Sequence, residues 1–206
     1  MKPEVVVFIV VVVVYFLGTE GLKKYFDLKL QVLYAGGLYK ECIELLDRRL
    51  ARIVMTTYKQ YYMRFVIYEA EGNTVAAERM LEHVLNMKSS KSKRAGLVAQ
   101  AFNFYVMAGN RKQAKVMLQE LKASDQKAVA ADCQLTYDIV FGKRCDEIER
   151  MEAMLDRADP AMKTKLYMLL SHQYANAGDK QRARKYRRLC DEQVEKNRPH
   201  VPASKQ

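Results

Sequence analysis

Proline occupies only four of the 206 positions, and no five-residue alternating β pattern with turn punctuation appears between the chain's turn glycines. Scarce proline leaves helices uninterrupted, and missing alternation excludes half-buried strands, so an all-α fold is expected. Recognisable catalytic motifs are missing as well. Histidine occurs three times, at His83, His172 and His200, and there is no H-E-x-x-H, no phosphate-cradling glycine loop and no G-x-S-x-G. Glu147 and Glu149 stand close in sequence, but that spacing on a helix points them to different faces. A binding role is therefore expected in place of catalysis. Cys42, Cys133, Cys145 and Cys190 form no C-x-x-C pair and have no histidine at zinc-ligand spacing, so neither metal nor cofactor is expected. Cys42 and Cys190 fall where the second helix of a hairpin meets its neighbour, and unpaired buried thiols suit a reducing compartment.

What is present is a period. Gly37, Gly72, Gly109, Gly142 and Gly178 lie 35, 37, 33 and 36 residues apart, each between two stretches of helical periodicity. Such spacing marks stacked two-helix units, none of which buries its apolar face alone. Seven before each glycine stand Leu30, Phe65, Phe102, Leu135 and Ser171, and four before stand Leu33, Tyr68, Tyr105, Asp138 and Tyr174. Five after stand Cys42, Ala77, Ala114, Glu147 and Ala183, and nine after stand Leu46, Leu81, Leu118, Met151 and Arg187. Large residues on a first helix thus oppose a small one on the second, which lets antiparallel helices approach around a short turn. Each glycine is expected to end its first helix in a left-handed conformation.

Helix pairs are predicted at 22–35 and 38–54, 56–71 and 74–88, 94–108 and 111–123, 126–141 and 144–157, and 161–177 and 180–196. Asp125, Asp159 and Asp179 stand at expected caps. Residues 87–93 read as a polar linker, and 197–206 as a frayed tail.

The columns, clearest in Tyr167 through Asp179 with Ala183 and in Phe102 through Ala114, resemble the tetratricopeptide-repeat (TPR) family. That resemblance spans about Leu22 to Lys196 and implies a TPR-like α-solenoid of about five helix–turn–helix repeats. The unit around Gly142 departs from the pattern, with Asp138 and Glu147 in place of the aromatic and the small residue, and no tryptophan occurs. In the family, first helices line a concave face, which implies a protein-binding groove of Tyr34, Tyr62, Val66, Asn103, Thr136, His172 and Asn176. The family's clamp for acidic peptide termini would need basic and amide side chains where Asp27, Gln31, Gly96 and Gln100 stand, so a short amphipathic helix or extended peptide is the expected ligand.

Ahead of the repeats, Val5–Leu17 is an unbroken run of 13 apolar residues. At about 1.5 Å per residue it spans roughly 20 Å, short of the ~30 Å hydrocarbon core unless Gly18 to Leu22 extend it and Lys2 and Lys23 reach to the interfaces. An uncleaved anchor over residues 1–21, contacting the membrane through 5–18, is expected; a cleaved signal peptide is the alternative, with Thr19-Glu20-Gly21 a mediocre cleavage site. Lys23, Lys24 and Lys29 after the run place the repeat domain, 22–196, on the cytoplasmic side of a single-pass cell-membrane protein.

The formal charge of +11 is local. Residues 180–206 carry +6, and 86–95 carry +4 through Lys88, Lys91, Lys93 and Arg94. These, with Arg184, Arg187 and Arg188 of the last helix, form a candidate basic patch for RNA or anionic lipid. A solvated loop and the polar end of a repeat stack account for the same residues, so a membrane-tethered scaffold that docks a protein or peptide is the leading expectation and an electrostatic binder of RNA or anionic lipid the alternative, with nucleic acid not the expected partner.

Overall fold

The computed structural model describes Pro3–Asn197, with side chains at Val5 and at residues 18–196. Among the described residues there are eleven α-helices, one 3₁₀ turn and no strand. Their contacts divide into two compact units, one reaching Met87 and the other starting at Lys88, a boundary inside the polar linker read from the sequence.

The first unit holds α1 (Pro3–Ala35), α2 (Tyr39–Asp47), α3 (Arg49–Val54), α4 (Thr57–Glu71) and α5 (Thr74–Leu85). One helix expected at 38–54 is two, because Arg48 is extended at φ −62° and ψ 139°. Ala51 and Val54 of α3 turn into the core with Phe26, Leu30, Cys42 and Leu46. The Cys42 thiol lies 4.0 Å from the Leu30 carbonyl, the close approach the small-residue column requires. The expected membrane segment falls mostly on residues 6–17, whose side chains lie outside the described part; among the described residues no helix is long and apolar enough to cross a membrane. The expected tail, with His200, also lies outside it.

The second unit holds α6 (Lys91–Met107), α7 (Arg111–Ala123), α8 (Lys127–Gly142), α9 (Ile148–Met154, continued by the 3₁₀ turn Leu155–Arg157), α10 (Pro160–Asn176) and α11 (Lys180–Asn197). Lys91–Lys93 belong to α6, so the linker is shorter than expected. Tyr105 and Ala114, the large and small partners of the α6–α7 hairpin, are both buried. Phe102, Leu118 and Ala183 join them, whereas Arg187, in the same column as Leu118, is exposed.

Three of the five turns follow one design; Gly37 is left-handed too, at φ 69°, but Leu38 after it gives α2 no side-chain cap, and Gly142 departs altogether. Gly72, Gly109 and Gly178 have φ of 82°, 69° and 84°, and the next residue, Asn73, Asn110 or Asp179, caps the second helix with its side-chain oxygen. Asp159 caps α10, accepting from the Met162 amide at 2.8 Å. Asp125 does not cap; Gln126 holds the N-cap position of α8 without a side-chain bond. Gly142 remains helical, and Lys143 takes the left-handed conformation at φ 61°. The α8–α9 connection is then held from outside. Gln173, fully buried on α10, accepts the Glu147 amide at 2.9 Å, and the Asn176 side chain donates to the carbonyls of Ile139 and Arg144 at 2.8 and 3.0 Å.

Candidate docking groove

Within the second unit, α6, α8 and α10 lie side by side, and α11 packs along α10. The last helix carries two faces. Ala183, Tyr186 and Leu189 pack into the core with Leu166, Leu170 and Tyr174, while Arg187, Cys190, Asp191 and Val194, at i, i+3, i+4 and i+7, line open space beside α6, α8 and α10. That space is a groove of two adjoining parts. One, about 240 Å³, is lined by Asn103 and Met107 of α6, Thr136 of α8, Thr164 and Met168 of α10, and Val194. The other, about 520 Å³, is lined by Phe141, His172, Arg187 and Asp191, and both share Val106, Met107, Met168 and Cys190.

The open part of the surface mixes apolar with polar side chains: Met107 and Val194 beside Asn103, Arg187 and Asp191. Met107 is 71% exposed and Val194 46%, and the two stand on the same open space. Thr136 is buried and its hydroxyl donates to the Asp132 carbonyl at 3.0 Å, so it offers the groove no free hydroxyl proton. Asn103 is exposed, and its amide is the groove's uncharged polar handle. Burial, with a smaller push from Arg187, holds the His172 imidazole below its ordinary 6.5, which favours the neutral ring at pH 7. Burial also raises the Cys190 thiol, whose sulfur lies 3.6 Å from the Thr164 carbonyl, so it stays protonated. The buried Cys42 and Cys133 thiols are pushed up to about 11, again by burial, and all four cysteines are free. Among the described residues no three His, Cys, Asp or Glu side chains gather as a metal site would require.

Three of the seven residues expected in a groove thus meet in this one: Asn103, Thr136 and His172. Asn176 is spent on the backbone of the α8–α9 connection. Tyr34, Tyr62 and Val66 belong to the first unit, where all three are half-buried. Tyr34 meets Tyr39 edge-on at 5.8 Å, and Tyr62 stacks on Tyr58 at 6.1 Å. Sequence reasoning missed Met107 and Met168, although each lies four residues from a chosen neighbour on the same helical face. It also missed the groove face of α11.

The expected basic patch separates into parts. Arg94 is held by Glu120 of α7 through two bonds of 2.5 and 2.9 Å, while Lys88, Lys91 and Lys93 are exposed. Arg184 and Arg188 line a shallow cleft of about 610 Å³ with Lys180 and Lys185, and Arg187 faces the groove.

Compared with known protein families, curated proteins and solved structures, the chain matches none.

Proposed function

We propose that the chain is a TPR-like scaffold, tethered to the cell membrane by its N-terminal run with the repeats in the cytoplasm, that docks an amphipathic helix of another protein in the groove of its second unit. One observation carries this reading: Met107 and Val194 stand exposed beside Val106 and Met168 along a cleft that has an amide and a charged rim. A methionine-lined surface adapts to a helical ligand by rotamer change, and the Asn103 amide and the charged rim of Arg187 and Asp191 would fix its register. The Cys190 thiol and the His172 imidazole of the groove are held in uncharged, weakly reactive forms, which favours recognition over chemistry. A tether raises the local concentration of the groove at the bilayer.

The test is affinity purification of the full chain from detergent extract, wild type against the Asn103→Ala, Met107→Ala, His172→Ala variant. Recovery of one stoichiometric protein by wild type, lost in the folded variant, supports the groove; retention by the variant removes it. A second reading, binding of RNA or anionic lipid, rests on the Lys180, Arg184, Lys185 and Arg188 cleft. It requires steep salt dependence of binding to a single-stranded oligonucleotide or an anionic vesicle, and absence of binding at low salt excludes it.

A further inference from the structure

Helix α3 turns two large apolar side chains to water at one particular end of the first unit. Ala51 and Val54 enter the core, while Leu50 and Ile53, three residues apart on one face, are 55% and 76% exposed. Three contacts fix where that pair sits. Tyr39 meets Tyr34 at 5.8 Å and the Cys42 thiol lies 4.0 Å from the Leu30 carbonyl, so α2 runs antiparallel along α1, back toward the apolar run 5–17. The Lys59 ammonium then meets Asp27 at 2.6 Å, so α4 sets out again from about the level of Asp27. The connection between them, residues 48–56 with α3 inside it, therefore lies level with about residues 23–27 of α1. Because α1 is one helix over Pro3–Ala35, this is the end of the unit at which the apolar run enters. At 1.5 Å per residue that level is about 9–15 Å beyond Leu17, and about 2–8 Å beyond Leu22, to which a full membrane span has to extend. The headgroup layer of a bilayer is about 5–8 Å deep on each side.

Charge and area decide what covers the pair. Three carboxylates at this end are already engaged: Glu20 with Lys23 at 2.6 Å, Asp27 with Lys59, and Asp47 with both Arg52 and Arg64 at 2.9 Å. Glu44 and Glu82 are exposed but farther from the run, Glu44 two residues past Cys42 on α2 and Glu82 next to His83, whose ring lies 4.8 Å from that of Tyr61. Lys24, Arg48 and Arg49 are exposed and have no ion pair among the described residues. Leu50 and Ile53 together expose on the order of 200 Å², whereas each partner in a stable protein interface covers about 800 Å². A bilayer interface sets no such minimum: it accepts apolar side chains singly, and each Lys or Arg beside anionic headgroups strengthens the contact about fivefold.

We infer that this end of the first unit rests on the bilayer, with Leu50 and Ile53 entering the interface and Arg48 and Arg49 reaching anionic lipid headgroups. The inference rests on the proposed membrane anchor and is independent of the groove.

The full chain, carrying an environment-sensitive fluorescent amino acid in place of Ile53 or of Val75, is reconstituted in nanodiscs that contain doxyl-labelled lipid, with or without phosphatidylglycerol. Val75 is 65% exposed at the start of α5, beside the Gly72 turn at the other end of the unit, and is the control. In anionic discs the probe at position 53 should be quenched and the probe at position 75 should not. Quenching should fall at least about fivefold without phosphatidylglycerol, and again by at least that factor in the Arg48→Glu, Arg49→Glu variant. Leu50→Asp should lower it as well, since a carboxylate resists entry into the interface. All three substituted positions are exposed, so unchanged helicity and melting check that each variant is folded. Extraction of membranes with alkaline carbonate reads the anchor alone. No quenching at position 53 in a chain that resists carbonate overturns the inference and leaves the anchor standing. Equal quenching at both positions, or quenching indifferent to lipid charge and to the arginines, overturns it too. Release by carbonate removes the anchor, and the inference with it. A spectral shift at position 53 that grows with chain concentration in detergent overturns it by making the occupant a second copy.

Discussion

Replacing Gln173 with leucine keeps most of the volume of a fully buried side chain and removes both of its polar atoms. Its carbonyl oxygen is the acceptor for the Glu147 amide at 2.9 Å, and its amide nitrogen lies 3.1 Å from the Met151 sulfur. The sulfur is a weak acceptor and loses little. The Glu147 amide opens α9 and sits in a half-buried place where no other acceptor is supplied by its own helix. An orphaned backbone donor of this kind costs about 1–3 kcal/mol, and near-equal volume adds little cavity penalty. Gln173→Leu should therefore destabilise the second unit by about 1–3 kcal/mol. Asn176→Ala, which releases two carbonyls of the same connection, should cost a comparable amount. The double variant should cost less than the two together, because both act on one segment. Denaturant titration in detergent gives the stability change, and amide hydrogen exchange locates it: protection at Glu147 and through α9 should fall while α6 and α7 keep theirs. Unchanged exchange at Glu147, or a loss spread evenly over the unit, would refute the reasoning.

Glu152 accepts from the Tyr174 and Tyr186 hydroxyls at 2.7 and 2.6 Å, and these bonds hold its carboxyl below the ordinary 4.5. A lowered carboxylate stabilises above its unfolded value and is lost as the pH falls through the folded one, so melting should drop in acid below 4.5 and Glu152→Gln should flatten that drop. Gly142 is helical while Lys143 is left-handed, and a Cβ at Gly142 would meet Asp138 at an ordinary 3.8 Å. The exchange Gly142→Ala with Lys143→Gly should stabilise by about 1–2 kcal/mol in denaturant titration. Ala114→Arg forces bulk and charge into the fully buried hairpin contact and should cost several kcal/mol, on the order of 3 or more, by urea melting.

The repeat was legible because it depends on residue size at fixed offsets. Gly72, Gly109 and Gly178 announce left-handed turns, and Phe102, Tyr105 and Ala114 announce the face they bury. Where the structure departs, a backbone group or a distant side chain decides. Gly142 looks like its fellows, but the left-handed residue falls one place later and the connection borrows Gln173 and Asn176 from the next hairpin. Asn176 serves that connection: its carbonyl partners at Ile139 and Arg144 carry no mark in the sequence. Arg48 breaks a helix with no proline or glycine to signal it. Asn73 and Asn110 cap helices from the residue after the glycine, a glycine–asparagine pair that was visible and overlooked. In the groove, inner-helix residues such as Asn103 and His172 were within reach of the pattern. The contribution of α11 was not, because its strongly charged sequence hides the narrow stripe of Cys190 and Val194, which are set among Asp191, Glu192 and Glu195.

Site-specific photo-crosslinking in intact cells probes the docking claim most directly. A photoreactive residue placed at Met107 or Val194, inside the groove, should give one shared adduct of the same protein, while the same residue at Val116, exposed on α7 and outside the groove, should give none. Equal labelling from both kinds of position, or labelling from Val116 alone, would contradict the account.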